Sequence, residues 1–184
     1  MIVKGVLLGF YGPAIVLLGW QALHLEALDQ RILAMAIFLL SLDLCVMAIF
    51  DLQQVARVRA LGLSNALRDD RLDRFYGVTV MTIALELLGM YGAQGSLWVG
   101  AAMILMSQAG FNLFAGVQLL PDQAEPIVTF GIRDRALVLV ADSVGVGLVS
   151  LGLAGVMPLG MASGLLGMVV IYGGVKILDG LKGN

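Results

Sequence analysis

The sequence predicts an all-α fold: a polytopic transmembrane bundle of about six spans, with both chain ends on the cytoplasmic side. Three observations carry that reading. Of 184 residues, 60% are hydrophobic and only 13% charged, about half the charged share of an ordinary soluble domain. Six apolar windows each approach the ~20 residues needed to cross a hydrocarbon core ~30 Å thick. The basic residues between those windows fall almost entirely on one side of the membrane they would build.

The first window, Gly5 to Trp20, follows a lysine as a signal peptide would. Trp20-Gln-Ala-Leu-His24 is a poor small-residue cleavage site, however, and more spans follow, so the segment reads as a retained helix. The second window runs from Ile32 to Phe50. The third, Phe75 to Ala93, is parted from the fourth, Leu97 to Leu119, by the short turn Gly92-Ala-Gln-Gly-Ser96. The fifth, Ala136 to Gly155, and the sixth, Pro158 to Leu178, abut through Gly155-Val-Met-Pro158, whose Gly and Pro mark a hairpin. The chain 1–184 reads as one transmembrane domain.

Charge sets the orientation. With the N-terminus inside, the inner segments carry Lys4, Arg57, Arg59, Arg68, Arg71, Arg74, Arg133, Arg135, Lys176 and Lys182, and the outer ones only Arg31. That is a strong positive-inside bias, and Trp20 and Trp98 then both land at the outer boundary, where indole prefers to sit. Five spans would put the C-terminal lysines outside.

Two inner connections exceed simple turns. Over residues 51–74, Leu52, Val55, Leu63 and Leu67 alternate with arginines and acids. The second span is expected to extend into the cytoplasm and break near Gly62-Leu-Ser64. It would then resume as a short amphipathic helix capped by Ser64 or Asn65. Such a segment lies on lipid headgroups, or docks a partner through Arg57, Arg59 and Arg68. Between Pro121 and Arg135 the prolines predict an interfacial loop around Pro126-Ile-Val-Thr-Phe-Gly131.

Small residues at helical spacing predict close helix contacts: Gly5, Gly9 and Gly12 on the first span, Gly160 and Gly164 on the sixth, and Ser143, Gly147, Ser150 and Ala154 on the fifth. Pro13 is expected to kink the first span. The acids Asp43, Glu86 and Asp142 fall inside spans two, three and five, where each charge costs at least ~2.5 kcal/mol to insert. At ~1.5 Å per residue, the three share a slab less than about 10 Å thick near the midplane, together with Gln108 and Asn112 on span four. Thr79, Thr82, Glu86, Gly89 and Ala93 form one polar-to-small stripe on span three. No Lys or Arg is expected at that depth; Lys4, Arg31 and Lys176 lie near the boundaries, where they can snorkel. The acids are therefore neutral, hydrogen-bonded to Gln108, Asn112 and Thr82, or balanced by a bound cation.

Several classes drop out. A net charge of −2 offers nothing to nucleic acid. A single cysteine, Cys45, excludes an intrachain disulfide and any multi-cysteine metal site. There is no phosphate loop, HExxH or zinc-type spacing; a membrane enzyme stays open as the third reading, behind the two below, since no nucleophile–base pair is visible. Gln, Asn or His24 could ligate a chlorophyll-type magnesium, but no spacing singles out a pigment, and no metal or cofactor is assigned.

The leading expectation is a small membrane transporter or channel subunit. Asp43, Glu86 and Asp142 would handle a proton or a cationic or polar solute, with Gln108, Asn112 and Thr82 as neutral ligands. The alternative is a non-catalytic accessory or assembly subunit of a larger membrane complex, photosynthetic or respiratory, or of a homo-oligomer. The setting expected is a bacterial-type plasma membrane or a thylakoid membrane.

Overall fold

The computed structural model describes residues 2–61 and 69–182. In chain order the elements are α1 (Ile2–His24), α2 (Leu28–Ala60), α3 (Asp70–Gly92), α4 (Leu97–Phe114), β1 (Val117–Leu119), β2 (Ile127–Thr129), α5 (Ala136–Leu153) and α6 (Pro158–Lys182). Six helices are long and apolar enough to cross a membrane. Pro13 lies inside α1, which stays helical through it.

Helix α2 is the axis of the bundle. Helices α1, α6 and α3 pack along it, and the circuit closes from α6 through α5 and α4 back to α3. Its 33 residues span about 50 Å at ~1.5 Å each, well beyond a ~30 Å core. The overhang is the predicted extension, and it continues to Ala60 without a break. The expected break at Gly62, the caps Ser64 and Asn65, and Arg68 lie outside the described residues. The chain does not enter span three through a separate amphipathic helix at residues 70–74. Asp69 is the N-cap, its carboxylate accepting from the Arg71 backbone N–H at 2.9 Å, and α3 runs on from there as one helix.

The overhang is covered by a second small core. Val55 and Val58 of α2 and Leu72 and Phe75 of α3 pack with Ala115, Val117, Leu119 and Ile127. Here the sequence prediction fails. It carries span four to Leu119, whereas α4 ends at Phe114, Gly116 turns the chain at φ +68°, and Val117–Leu119 pairs antiparallel with Ile127–Thr129. The strand buries Val117 and Leu119 and exposes Gln118, the alternation of a strand laid on a core.

The small-residue faces also differ from expectation. A Cβ on Gly5, Gly9, Gly12 or Gly147 would meet nothing within 4 Å, and Ser143, Ser150 and Ala154 are exposed. Helix α5 packs instead through Gly145, Val149 and Gly152, the last directly against the Trp98 ring. Gly164 meets Leu148 as predicted, while Gly160 approaches only Met157, in the turn just before its own helix. Backbone meets backbone closely between α3 and α4, where a Cβ on Gly100 would stand 2.6 Å from the Gly89 carbonyl oxygen. Trp20 is exposed and stacks on His24 with ring centroids 3.6 Å apart.

Candidate functional site

The polar-to-small stripe of α3 turns inward: Thr79, Thr82, Glu86, Gly89 and Ala93 are all buried. Thr79, Thr82 and Glu86 face a cavity of about 340 Å³ lined by α2 to α6, while Gly89 and Ala93 pack against α4 at Gly100. Each wall supplies polar groups: Asp43 and Asp51 from α2, Thr79, Thr82 and Glu86 from α3, Gln108 and Asn112 from α4, Asp142 from α5, and Tyr172 from α6. All six residues expected to bind an ion or solute therefore lie on one wall system. The remainder is apolar, with Leu40, Met47, Leu105, Phe111 and Met168 among the lining. Helix α2 contributes its middle, residues 40–51, α4 mostly its C-terminal half and α5 its start. The cavity thus lies toward the end of the bundle that carries the hairpin.

The acids share a cavity but not a partner. Glu86, 2% exposed, accepts from the Tyr11 hydroxyl through Oε2 and from the Gln108 side-chain amide through Oε1. Asp142 Oδ2 accepts from Asn112 Nδ2 at 2.8 Å. Asp43 Oδ1 accepts from Lys176 Nζ at 2.5 Å. The Thr79 hydroxyl donates to its own helix, at the Phe75 carbonyl. Side-chain partners are thus neutral for Glu86 and Asp142, and charged for Asp43.

The Asp43–Lys176 pair corrects the expectation that no cation reaches the acids. Helix side chains lean toward the helix N-terminus. Lys176 sits near the C-terminal end of α6, so its four-carbon stem leans back along the bundle toward Asp43 instead of out to the boundary. Four carboxyl groups consequently line the cavity, at Asp43, Asp51, Glu86 and Asp142, with one ammonium beside them. Among the described residues, no three His, Cys, Asp or Glu side chains gather to hold a metal ion.

The arginines of residues 51–74 that the structure describes lie away from the cavity. Arg59 pairs with Asp73 at 2.9 Å and lies over the Tyr76 ring, Arg71 bonds Asp69 and Thr129, and Arg57 is exposed.

Sequence reasoning missed Tyr11, Asp51, Arg135, Tyr172 and Lys176. Tyr11 had a legible signal, since Leu7, Tyr11, Ala14, Leu18 and Ala22 recur at helical spacing and are all buried. Arg135 did not. It is 7% exposed, and its guanidinium donates to the carbonyls of Asn112 at 3.1 Å and Val117 at 3.1 Å while lying over the Phe130 ring. It holds the C-terminal turn of α4, the helix carrying Gln108 and Asn112, against the start of the hairpin.

Set against protein-family models, curated proteins and solved structures, the chain matches none.

Proposed function

We propose that this chain is a small membrane carrier or channel subunit that handles a proton or a cationic solute through the cavity between α2 and α6. One observation carries the reading: carboxyl groups from three different helices, with neutral amide ligands from a fourth, face one cavity among helices fit to span a membrane. Ionisable groups kept at such depth mark ion and solute pathways. Structural glue alone is a weak account, because interhelical hydrogen bonds in membranes average only ~0.6 kcal/mol. Both chain ends face the cytoplasm in this reading, on the distribution of the basic residues. The membrane is of bacterial plasma or thylakoid type.

The test is flux in reconstituted liposomes under an imposed pH or cation gradient, comparing wild type with Glu86→Gln and Asp142→Asn. The amides keep volume and hydrogen bonding but carry no charge. Loss of flux with normal insertion is the expected result; equal flux in wild type and both variants removes the proposal.

A second reading, an assembly subunit or homo-oligomer, draws on one observation: the Gly5, Gly9 and Gly12 face of α1 is left open. Bulky substitution there would shift the mass of the detergent-solubilised particle if that face packs on another chain.

A further inference from the structure

Resting on the carrier reading above, the geometry points to an organic ammonium ion as the solute, its head taking the place that Lys176 now fills between Asp43 and Tyr172. The ammonium of Lys176 is 2.5 Å from Asp43 Oδ1 and 5.7 Å from the Tyr172 ring centroid. A carboxylate and an aromatic face together are what a substituted ammonium recognises. Both Asp43 and Tyr172 line the cavity. The molecule therefore displays the ligand chemistry of this niche with a tethered group of its own.

The space beside the niche decides between an inorganic ion and an organic one. A water molecule's share of liquid volume is about 30 Å³, so a proton relay or a bare monovalent cation would leave most of about 340 Å³ unfilled. Small-molecule sites begin at roughly 300 Å³. Walls such as Leu40, Met47, Phe111 and Met168 favour an apolar body behind the charged head. The rim on α5 and α6 is the least enclosed part, with Leu137 84% and Tyr172 46% exposed. In this arrangement Lys176 is a tethered competitor. While it holds Asp43, the site is closed to solute, and apparent affinity is scaled down by the fraction of time the niche is free.

Calorimetric titration in nanodiscs, with empty nanodiscs subtracted, tests this with three probes sharing one body: benzylammonium, benzyl alcohol and benzoate. Wild type should bind benzylammonium in preference to the other two. Lys176→Met should tighten benzylammonium binding by about tenfold, the factor for a niche occupied roughly nine-tenths of the time. Lys176→Gln, which retains a hydrogen bond to Asp43, should tighten it in the same direction and guards against loss of fold. The double variant Asp43→Asn/Lys176→Met, which leaves no unpaired charge, should lose the preference for the cation. Should both Lys176 variants bind no more tightly than wild type while Glu86→Gln abolishes binding, the cation goes to Glu86. The niche is then wrong and the carrier reading stands. If wild type and every variant treat benzylammonium and benzyl alcohol alike, this inference falls, whereas the carrier reading falls only if flux is also insensitive to the amide substitutions.

Discussion

The hydroxyl of Tyr11 on α1 donates to the carboxylate of Glu86 on α3, and both side chains are closed off from the surface, at 0% and 2% exposed. Among the described residues, helix α1 contributes nothing to the cavity wall, yet it holds the most buried acid on that wall from behind. Glu86 is thereby fixed between a phenol from outside the five-helix circuit and an amide from within it. Tyr11→Phe keeps the ring packing and removes the donor, leaving Oε2 bare. A buried acceptor stripped of one partner costs ~1–3 kcal/mol, so the thermal midpoint in nanodiscs should fall. The loss should shrink in a Glu86→Gln background, since the two residues share one interaction. An unchanged midpoint for Tyr11→Phe would show that the bond contributes nothing to stability.

The glycines separate into packed and idle ones, which a pair of substitutions distinguishes. At Gly100 a methyl group would meet the Ala93 Cβ at 2.6 Å and the Gly89 carbonyl oxygen at 2.6 Å. Backbone cannot yield as a flexible side-chain end can, so Gly100→Ala should destabilise by ~1–3 kcal/mol. At Gly147 nothing stands within 4 Å, and alanine there should be neutral or stabilising by up to ~1 kcal/mol through helix propensity. Thermal unfolding of both variants checks the contrast; equal effects would contradict the α3–α4 contact.

Outside the spans, the N-cap of α3 gives a pH dependence with a definite sign. The Arg71 guanidinium and backbone N–H beside Asp69 hold its carboxyl below the usual carboxylate range. Because the folded value lies below the unfolded one, the contribution is fully present above about pH 4, the ordinary carboxylate value. It is lost as pH falls through the lowered folded value. Asp69→Ala should cost ~1 kcal/mol at neutral pH, as N-cap removal does, and progressively less in acid. A deficit that grows on acidification would refute the assignment.

The helices were legible because the signals that mark them are one-dimensional. A span is a run of apolar residues, and Asp43, Glu86 and Asp142 stand out inside such runs whatever surrounds them. What stayed hidden depends on the third dimension. Val117-Gln-Leu119 continues the apolar run of span four, and only burial against Val55, Val58 and Leu72 makes it a strand. Helix α5 offers two small faces, one through Ser143, Gly147 and Ser150 and one through Gly145 and Gly152. Residue size does not say which will meet a neighbour. The exposed face satisfies its own hydroxyls, Ser143 and Ser150 donating to Leu139 and Val146 of the same helix, which leaves those groups no need of a partner. Lys176 looked like a boundary residue by position, and its use was set by the direction in which the stem leans.

Arg135 offers the sharpest separation of scaffold from site. Helix α4 ends with carbonyls that have no partner within the helix, and the negative end of its dipole favours a cation. Arg135 supplies both donor and charge to the carbonyl of Asn112, and carries the contact on to Val117 at the start of β1. Asn112 in turn donates to Asp142, so the last turn of α4 positions a cavity ligand as well as the hairpin. Arg135→Met keeps an apolar stem but removes the guanidinium, and with it both the donors and the contact over the Phe130 ring. Hydrogen bonds to charged groups are worth ~1.5–3 kcal/mol each, so a loss of ~3 kcal/mol or more is expected. Protease cleavage between residues 121 and 126 should rise with it. Arg135→Lys retains the charge without the planar fork that spans two carbonyls, and should recover only part of the stability. If Arg135→Met lowers the thermal midpoint but leaves cleavage of that loop unchanged, the residue supports α4 alone and does not tether the hairpin.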